Sequence, residues 1–383
     1  MDTIQSPPSE DLVNRLDRLD GYLQFDPTNE LLLADAFEAA MAAGRLDRAE
    51  AHVRTGLTET ATPASWQFRQ ASLAIARNDL AGAQELLAPL KSAPHVEPAV
   101  LFNLGWVNYR LKQFKECVDV LEPLVGRAPN ELEWVSKAQA MWLRALHRLG
   151  ELDRAWKWVM EAQQAQWNLD AEVCGVASLL ALDIDQLDQA NRLAERALQR
   201  MSSQTEALVV RGSIALGRGN ADVAVVSAQA VLRGHGEDGR ARSLLGFAML
   251  LSRDLPRARA NFEQAVAMMP EHIGTWHGLG WTQLLLGDLD AAIGTFSTAL
   301  EIDRNFGESH GALAVALAMR SRTQDAAAEV EKALRLDPKA ASAQYAKLLL
   351  NGQGGDPAAI QRLAQRLLKR LSPEGKPTRA AVE

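Results

Sequence analysis

GTWHGLGWTQLLLGDLDAAIGTFSTALEID, residues 274–303, decides the fold. Two amphipathic stretches flank a short turn at Gly287-Asp288, with apolar residues three and four apart on either side. That spacing is the period of an α-helix and not the strict alternation of a strand, so the segment reads as a helical hairpin.

Shifting the sequence against itself extends the reading to the rest of the chain. Small residues recur at Gly212, Gly246, Gly280 and Ala314, each 34 positions after the last, and a second series runs Ala190, Ala224, Ala258, Ala292, Ala326. Phe262 and Phe296 share the same 34-residue separation, as do Pro270, Arg304 and Pro338. Self-similarity at a fixed period of this length marks a solenoid of stacked units, each leaving an apolar face that only its neighbour can cover. The small residues have a packing reason. Where two helices cross, Gly or Ala lets the backbones approach, and a larger side chain overpacks by ~1–3 kcal/mol.

Trp276, Leu279, Gly280, Leu289, Ala292, Phe296 and Ala299 fall on the signature positions of the tetratricopeptide repeat, and prolines near repeat ends appear at Pro129, Pro270 and Pro338. The chain resembles that family from about Glu30 to Ser372. The resemblance implies an all-α, right-handed superhelical solenoid of tandem helix-turn-helix hairpins with capping helices. Units are expected to begin at Glu30, Ala64, Pro98, Ser136, Ala171, Thr205, Gly239, Ile273, Gly307 and Ala341. Their second helices then place Ala49, Ala83, Ala155, Ala190, Ala224, Ala258, Ala292 and Ala326 at one position, with Cys117 and Ile360 as exceptions.

The expected organisation is a tail at 1–9, an N-terminal capping helix within 10–29, and three units with an irregular insertion over 30–135. Six further units and a degenerate C-terminal capping unit follow over 136–372, then a second tail at 373–383. Both tails are rich in Pro, Ser and charge and read as disordered. In the terminal cap, Asp356 and Pro357 open a helix whose Ile360, Leu363, Leu367 and Leu371 share one stripe. The period breaks once: the step from Pro98 to Ser136 is 38 residues and the next is 35. Trp134, Trp142, Trp156, Trp158 and Trp167 cluster there. They read either as fillers of a packing gap beside a longer loop or as an exposed aromatic contact site.

Composition narrows the function. The 383 residues are 47% hydrophobic and only 5% aromatic, with a net charge of -7, which speaks against a nucleic-acid binder built on a basic face. Cys117 and Cys174 have no metal-type spacing and suit a reducing compartment. MDTIQSPPSEDLV lacks the layout of a signal peptide, and no run of about 18 apolar residues suggests a membrane span, so a cytoplasmic protein is expected.

Catalytic chemistry is not apparent. GRGN at 217–220 and NGQGGDP at 351–357 are Gly-rich, but no Lys-Ser or Lys-Thr follows and both fall where hairpin turns belong. GHGEDG at 234–239 brings His235, Glu237 and Asp238 together at a junction between repeats, a weak metal signal. His272 and His277 are not in HExxH spacing, and the histidines offer no nucleophile–base pair. Cys117 takes a packing position, and Cys174 stands at a helix start where burial explains it better than reactivity. Neither enzyme activity, cofactor nor metal is therefore expected.

In proteins similar to this one the first helices line a concave groove that holds partner peptides or helices. The groove stripe in the third and fourth units carries Phe102, Asn103, Trp106, Tyr109, Lys137, Arg144 and His147, extended by Phe68 and Arg69. Aromatic anchors beside cations are typical of binding hot spots. The resemblance also raises a clamp for a partner's C-terminal carboxylate. Asn103 and Lys137 match two of its places, while Ser65, Arg69 and Met141 depart from the other three. Farther along, the stripe turns apolar through Phe247, Trp281, Leu285 and Met319, interrupted by His277 and Tyr345. It reads either as a trough for an amphipathic helix or as core. The expectation is a non-catalytic interaction scaffold, chaperone-like or an assembly factor, whose partner is another protein or a peptide segment. The alternatives are a peptide-sensing regulatory protein and a structural homo-oligomer.

Overall fold

The computed structural model describes residues 10–92, 97–129, 133–234 and 236–352. The expected C-terminal cap, both tails and His235 lie outside the described residues. Among the described residues there are twenty α-helices and no strand. Contacts divide the chain into two compact units, Met1–Val173 and Cys174–Glu383.

In the first unit, α1 (Glu10–Leu23) precedes the pairs α2 (Glu30–Ala42) with α3 (Leu46–Glu59) and α4 (Pro63–Ala76) with α5 (Leu80–Leu90). Next come α6 (Pro98–Arg110) with α7 (Phe114–Val125), then α8 (Glu133–Leu149) with α9 (Leu152–Gln164). The boundary between units falls inside α10 (Ala171–Asp183). The second unit continues with α11 (Leu187–Arg200), then α12 (Thr205–Gly217) with α13 (Ala221–Gly234) and α14 (Gly239–Leu251) with α15 (Leu255–Met268). It ends with α16 (Ile273–Leu285) and α17 (Leu289–Ile302), α18 (Gly307–Met319) and α19 (Thr323–Leu336), and α20 (Ala341–Leu350).

One turn design closes these pairs. Each first helix ends on a residue in the left-handed region: Gly44, Asn78, Lys112, Gly150, Asp185, Gly219, Arg253, Gly287 and Ser321. In the turn read first from sequence, Gly287 at φ 83° lets Asp288 N–H donate to the Gln283 carbonyl at 3.0 Å, tying off the end of α16. The Asp288 carboxylate then accepts from Ala291 N–H and starts α17. Asp79 and Asp254 repeat both acts, donating to Ala74 and Met249 and capping α5 and α15. The period is therefore written in backbone geometry as well as in side chains.

Close approach explains the small-residue series. A Cβ added to Gly280 would lie 2.5 Å from the Phe296 ring, and one on Gly246 would lie 2.7 Å from Phe262. Bare backbone at these crossings lets the large ring of the second helix fill the space. The alanines at 49, 83, 155, 190, 224, 258, 292 and 326, and Cys117 in their place, are all 0% exposed. Burial alone pushes the Cys117 thiol up to about 12, so it is an inert apolar filler at neutral pH.

The long step between the third and fourth pairs is filled by tryptophan. Trp142 and Trp158 are buried with ring centroids 6.0 Å apart, and Trp158 meets Trp167 at the same distance. Trp142 Nε1 donates to Glu122 at 2.9 Å, while Trp158 Nε1 and Gln139 Nε2 both donate to the Val125 carbonyl. These bonds satisfy the carbonyl end of α7 beside the longer step to α8.

At the front of the first unit, α1 lays fully buried Leu16 into a core with Phe37, Val53 and Trp66. Arg48 of α3 donates to Asp17 at 2.8 Å and from Nε to Asp20 at 2.8 Å, holding α1 from the side.

Candidate functional site

The candidate site is built from the first helices, because each hairpin buries one stripe of its first helix and leaves the next stripe outward. In the first unit this outward stripe is aromatic and cationic. On α6, Phe102, Asn103, Trp106 and Tyr109 are all half-buried, one side packed and the other in solvent. The Phe102 ring lies 5.3 Å from that of Trp134 on α8, joining two consecutive first helices through an aromatic pair. Lys137 Nζ stands 5.3 Å from the Trp134 centroid, and the Arg110 guanidinium 5.0 Å from that of Trp106. Both cations lie within reach of a cation–π interaction. Tyr109 meets Phe114 edge-on at 5.5 Å, which fixes the far end of the stripe.

Around this centre further charges are held in pairs. Arg69 of α4 stacks on Trp66 at 4.9 Å, donates to Ser65 Oγ at 2.5 Å and lies 3.8 Å from Glu38. Its Nε is buried without a hydrogen bond. Phe68 on the same helix is half-buried. Arg144 of α8, half-buried, forms an ion pair with Glu172 at the start of α10, and His147 is half-buried one turn along. The structure thus brings Phe102, Trp106 and Lys137 together, with Arg69 and Arg144 engaged by acids on either side.

Two contributors were not placed on this stripe from sequence. Arg110 was signalled by its spacing, four residues beyond Trp106 on one helix. Trp134 was visible only as one of a tryptophan cluster, because the irregular 38-residue step hides its register against α6. A third, Asn108, is buried and accepts from Gln84 Nε2 at 2.8 Å, linking α5 to α6 beneath the stripe.

The corresponding stripe in the second unit is mostly packed. Trp281 is 4% exposed and meets Phe296 edge-on at 5.7 Å, with Nε1 finding no acceptor. His277 is buried between Phe296 and Phe306, 2.7 Å from Ser309 Oγ, and burial pushes its pKa down to about 4. Tyr345 is also buried. Phe247 is half-buried with its edge on Phe262 at 4.9 Å. Leu285 packs against the cores on both sides of α16, and Met319 packs on the second of them. The outer surface left to this stripe is therefore Phe247, Leu285 and Met319, without the tryptophan or the histidine.

The Gly-rich stretch at 217–220 is the turn after α12, with Gly219 at φ 77°. Asp238 caps α14 by accepting from Ala241 N–H at 2.8 Å. No helix among the described residues is long and apolar enough to cross a membrane.

With this geometry in hand, comparison with known proteins is direct. Residues 249–316 match the family model described as tetratricopeptide repeat. No curated protein matches the chain. Among solved structures, the Cut9–Hcn1 hetero-tetramer of the APC/C aligns at 12% identity and a TM-score of 0.52, covering 93% of this chain and 76% of that one. YrrB, described as a TPR protein with an unusual peptide-binding site, aligns over 46% of this chain and 92% of its own at 21% identity and a TM-score of 0.37. A tetratricopeptide repeat protein from Parabacteroides merdae covers 75% of this chain and 98% of its own, at 14% identity and a TM-score of 0.39. Residues 249–316 match tetratricopeptide repeats, and ten first helices with a shared turn make the chain an all-α solenoid of about ten tandem helical hairpins similar to that family.

Proposed function

We propose that the chain is a non-catalytic, cytoplasmic scaffold, chaperone-like or an assembly factor, that captures a helical or extended segment of a partner protein on its first-helix faces. The observation that carries this reading is the stripe of Phe102, Trp106, Trp134 and Lys137 on α6 and α8. These rings are half-exposed, rigid and flanked by cations, so they offer large contact area at little cost in side-chain entropy. Of the titratable groups with shifted pKa values, Cys117 and His277 are buried fillers, and the others are bound in ion pairs or packed between helices.

The test compares the full chain with its Trp106→Ala variant as bait in native lysate, read by mass spectrometry. A protein retained by the first and lost from the second supports the reading and locates the contact. Identical sets of captured proteins would defeat binding on this stripe. Circular dichroism of the variant should match the parent, since Trp106 is only half-buried.

A further inference from the structure

Charge is distributed unevenly along the first helices, and the unevenness coincides with the aromatic stripe. Over α6, the following turn and α8 stand Arg110, Lys112, Lys137, Arg144 and Arg148, against the single acid Glu133. The chain as a whole carries -7. Of the first helices beside this stretch, α4 carries Arg69 and no acid, whereas α10 has Glu172 and Asp183; α2, one repeat farther out, has Glu30, Asp35 and Glu38. A run of cations on a net-acidic protein sets a local potential opposite in sign to the chain's total charge.

The cations are also ordered by what they touch. Arg110 and Lys137 rest near the rings of Trp106 and Trp134, so a carboxylate meeting them would find aromatic surface alongside. Lys112, Arg110 and Lys137 are exposed. We infer that the stripe on α6 and α8 binds an extended partner segment in which acidic side chains alternate with aromatic or aliphatic ones. This rests on the binding role proposed above and adds the chemistry of the partner.

The carboxylates come from side chains within the segment and not from a free C-terminus. The terminal-carboxylate clamp that the resemblance raises has Lys, Asn or Arg at five places on successive first helices. Here Ser65 and Met141 occupy two of them, and Arg69 at a third is drawn to Ser65 and Glu38. The remaining cations are spread along two helices, which suits several separated charges better than one terminal group.

The probe is a displayed library of random peptides, panned on the full chain and counter-selected on the Arg110→Glu/Lys137→Glu double variant. Both positions are exposed, and an unchanged circular dichroism spectrum would show that the variant folds. We expect enriched peptides to be net acidic with interleaved aromatic or aliphatic residues. Their affinity, read by fluorescence anisotropy, should fall about tenfold or more on charge reversal and stay unchanged when the peptide C-terminus is amidated. Enriched peptides that are neutral or basic but lose binding with Trp106→Ala would overturn the acidic inference while leaving the stripe as a binding site. Enriched peptides insensitive to both variants, or no enrichment, would overturn both. Tighter binding of single-stranded oligouridylate than of any enriched peptide would make the run of cations a nucleic-acid contact and overturn the inference too.

Discussion

His277 is held neutral by its surroundings. Phe296 and Phe306 pack against the imidazole and Ser309 Oγ stands 2.7 Å from Nε2, so protonation in the folded state waits until about pH 4, against an ordinary 6.5. Above pH 6.5 the residue is neutral whether the chain is folded or not, and contributes nothing to pH dependence. Between 6.5 and 4 the unfolded chain takes up a proton that the folded chain refuses, so stability falls with pH, approaching about 3 kcal/mol at the low end. His277→Gln should therefore flatten the decline of melting temperature between pH 7 and pH 4.5. Parallel profiles for parent and variant would show that the imidazole titrates normally. A second residue-scale expectation concerns the turns. Arg253 and Ser321 adopt φ values of 63° and 65°, which cost a residue with a Cβ roughly 1 kcal/mol relative to glycine. Arg253→Gly and Ser321→Gly should each raise the chemical denaturation midpoint, and a fall in either would mean that the side chain contributes more than the strain. Residues of the candidate site were legible in the sequence where the period is intact, as with Phe102 and Trp106. Trp281 and His277 share their position in the repeat with outward residues of the first unit, yet they are buried, because the rings of Phe296 and Phe306 close over what helical phase alone would leave outward.

At the scale of the element, the repeat is a pair of helices whose separation is set by one missing side chain. Gly280→Ala would place a methyl 2.5 Å from the Phe296 ring, which is itself 0% exposed and has nowhere to retreat. The expected loss is about 1–3 kcal/mol, read as a lower midpoint in urea. Phe296→Leu costs stability alone, but in the Gly280→Ala background it should cost less, because the smaller side chain makes room for the methyl. Strictly additive losses in the double-mutant cycle would show that the two helices adjust by moving apart. The small-residue series and the ring series were each readable in the sequence, since both keep the 34-residue step, but that the ring of one packs on the bare backbone of the other was not. Nor was the turn design. Gly occupies the left-handed position at 44, 150, 219 and 287, but Asn, Lys, Asp, Arg and Ser stand at the others. The backbone bond to the preceding helix, such as Asp288 to Gln283, holds Lys, Arg and Ser in a conformation that only Gly, Asn and Asp favour by themselves.

For the whole molecule, the short reach of contacts among the described residues decides how damage spreads. Among the described residues the main contacts join helices one or two apart in chain order, so a lesion in one repeat is expected to weaken that repeat and those beside it rather than the entire chain. The front of the first unit is the place to observe this, because α1 meets α2 alone among first helices and is held by a short inventory of contacts: Leu16 in the core and Arg48 on Asp17 and Asp20. Leu16→Ala removes a fully buried side chain, a change worth about 2–5 kcal/mol where the core cannot collapse around the gap. Hydrogen exchange read by mass spectrometry should show amides of α1, α2 and α3 losing protection, with α16 to α19 unaffected. Uniform loss of protection through both compact units would mean that the array unfolds as one cooperative body. A local response would instead allow the repeats bearing Phe102, Trp106 and Lys137 to hold their aromatic and cationic stripe in place while the end of the molecule frays.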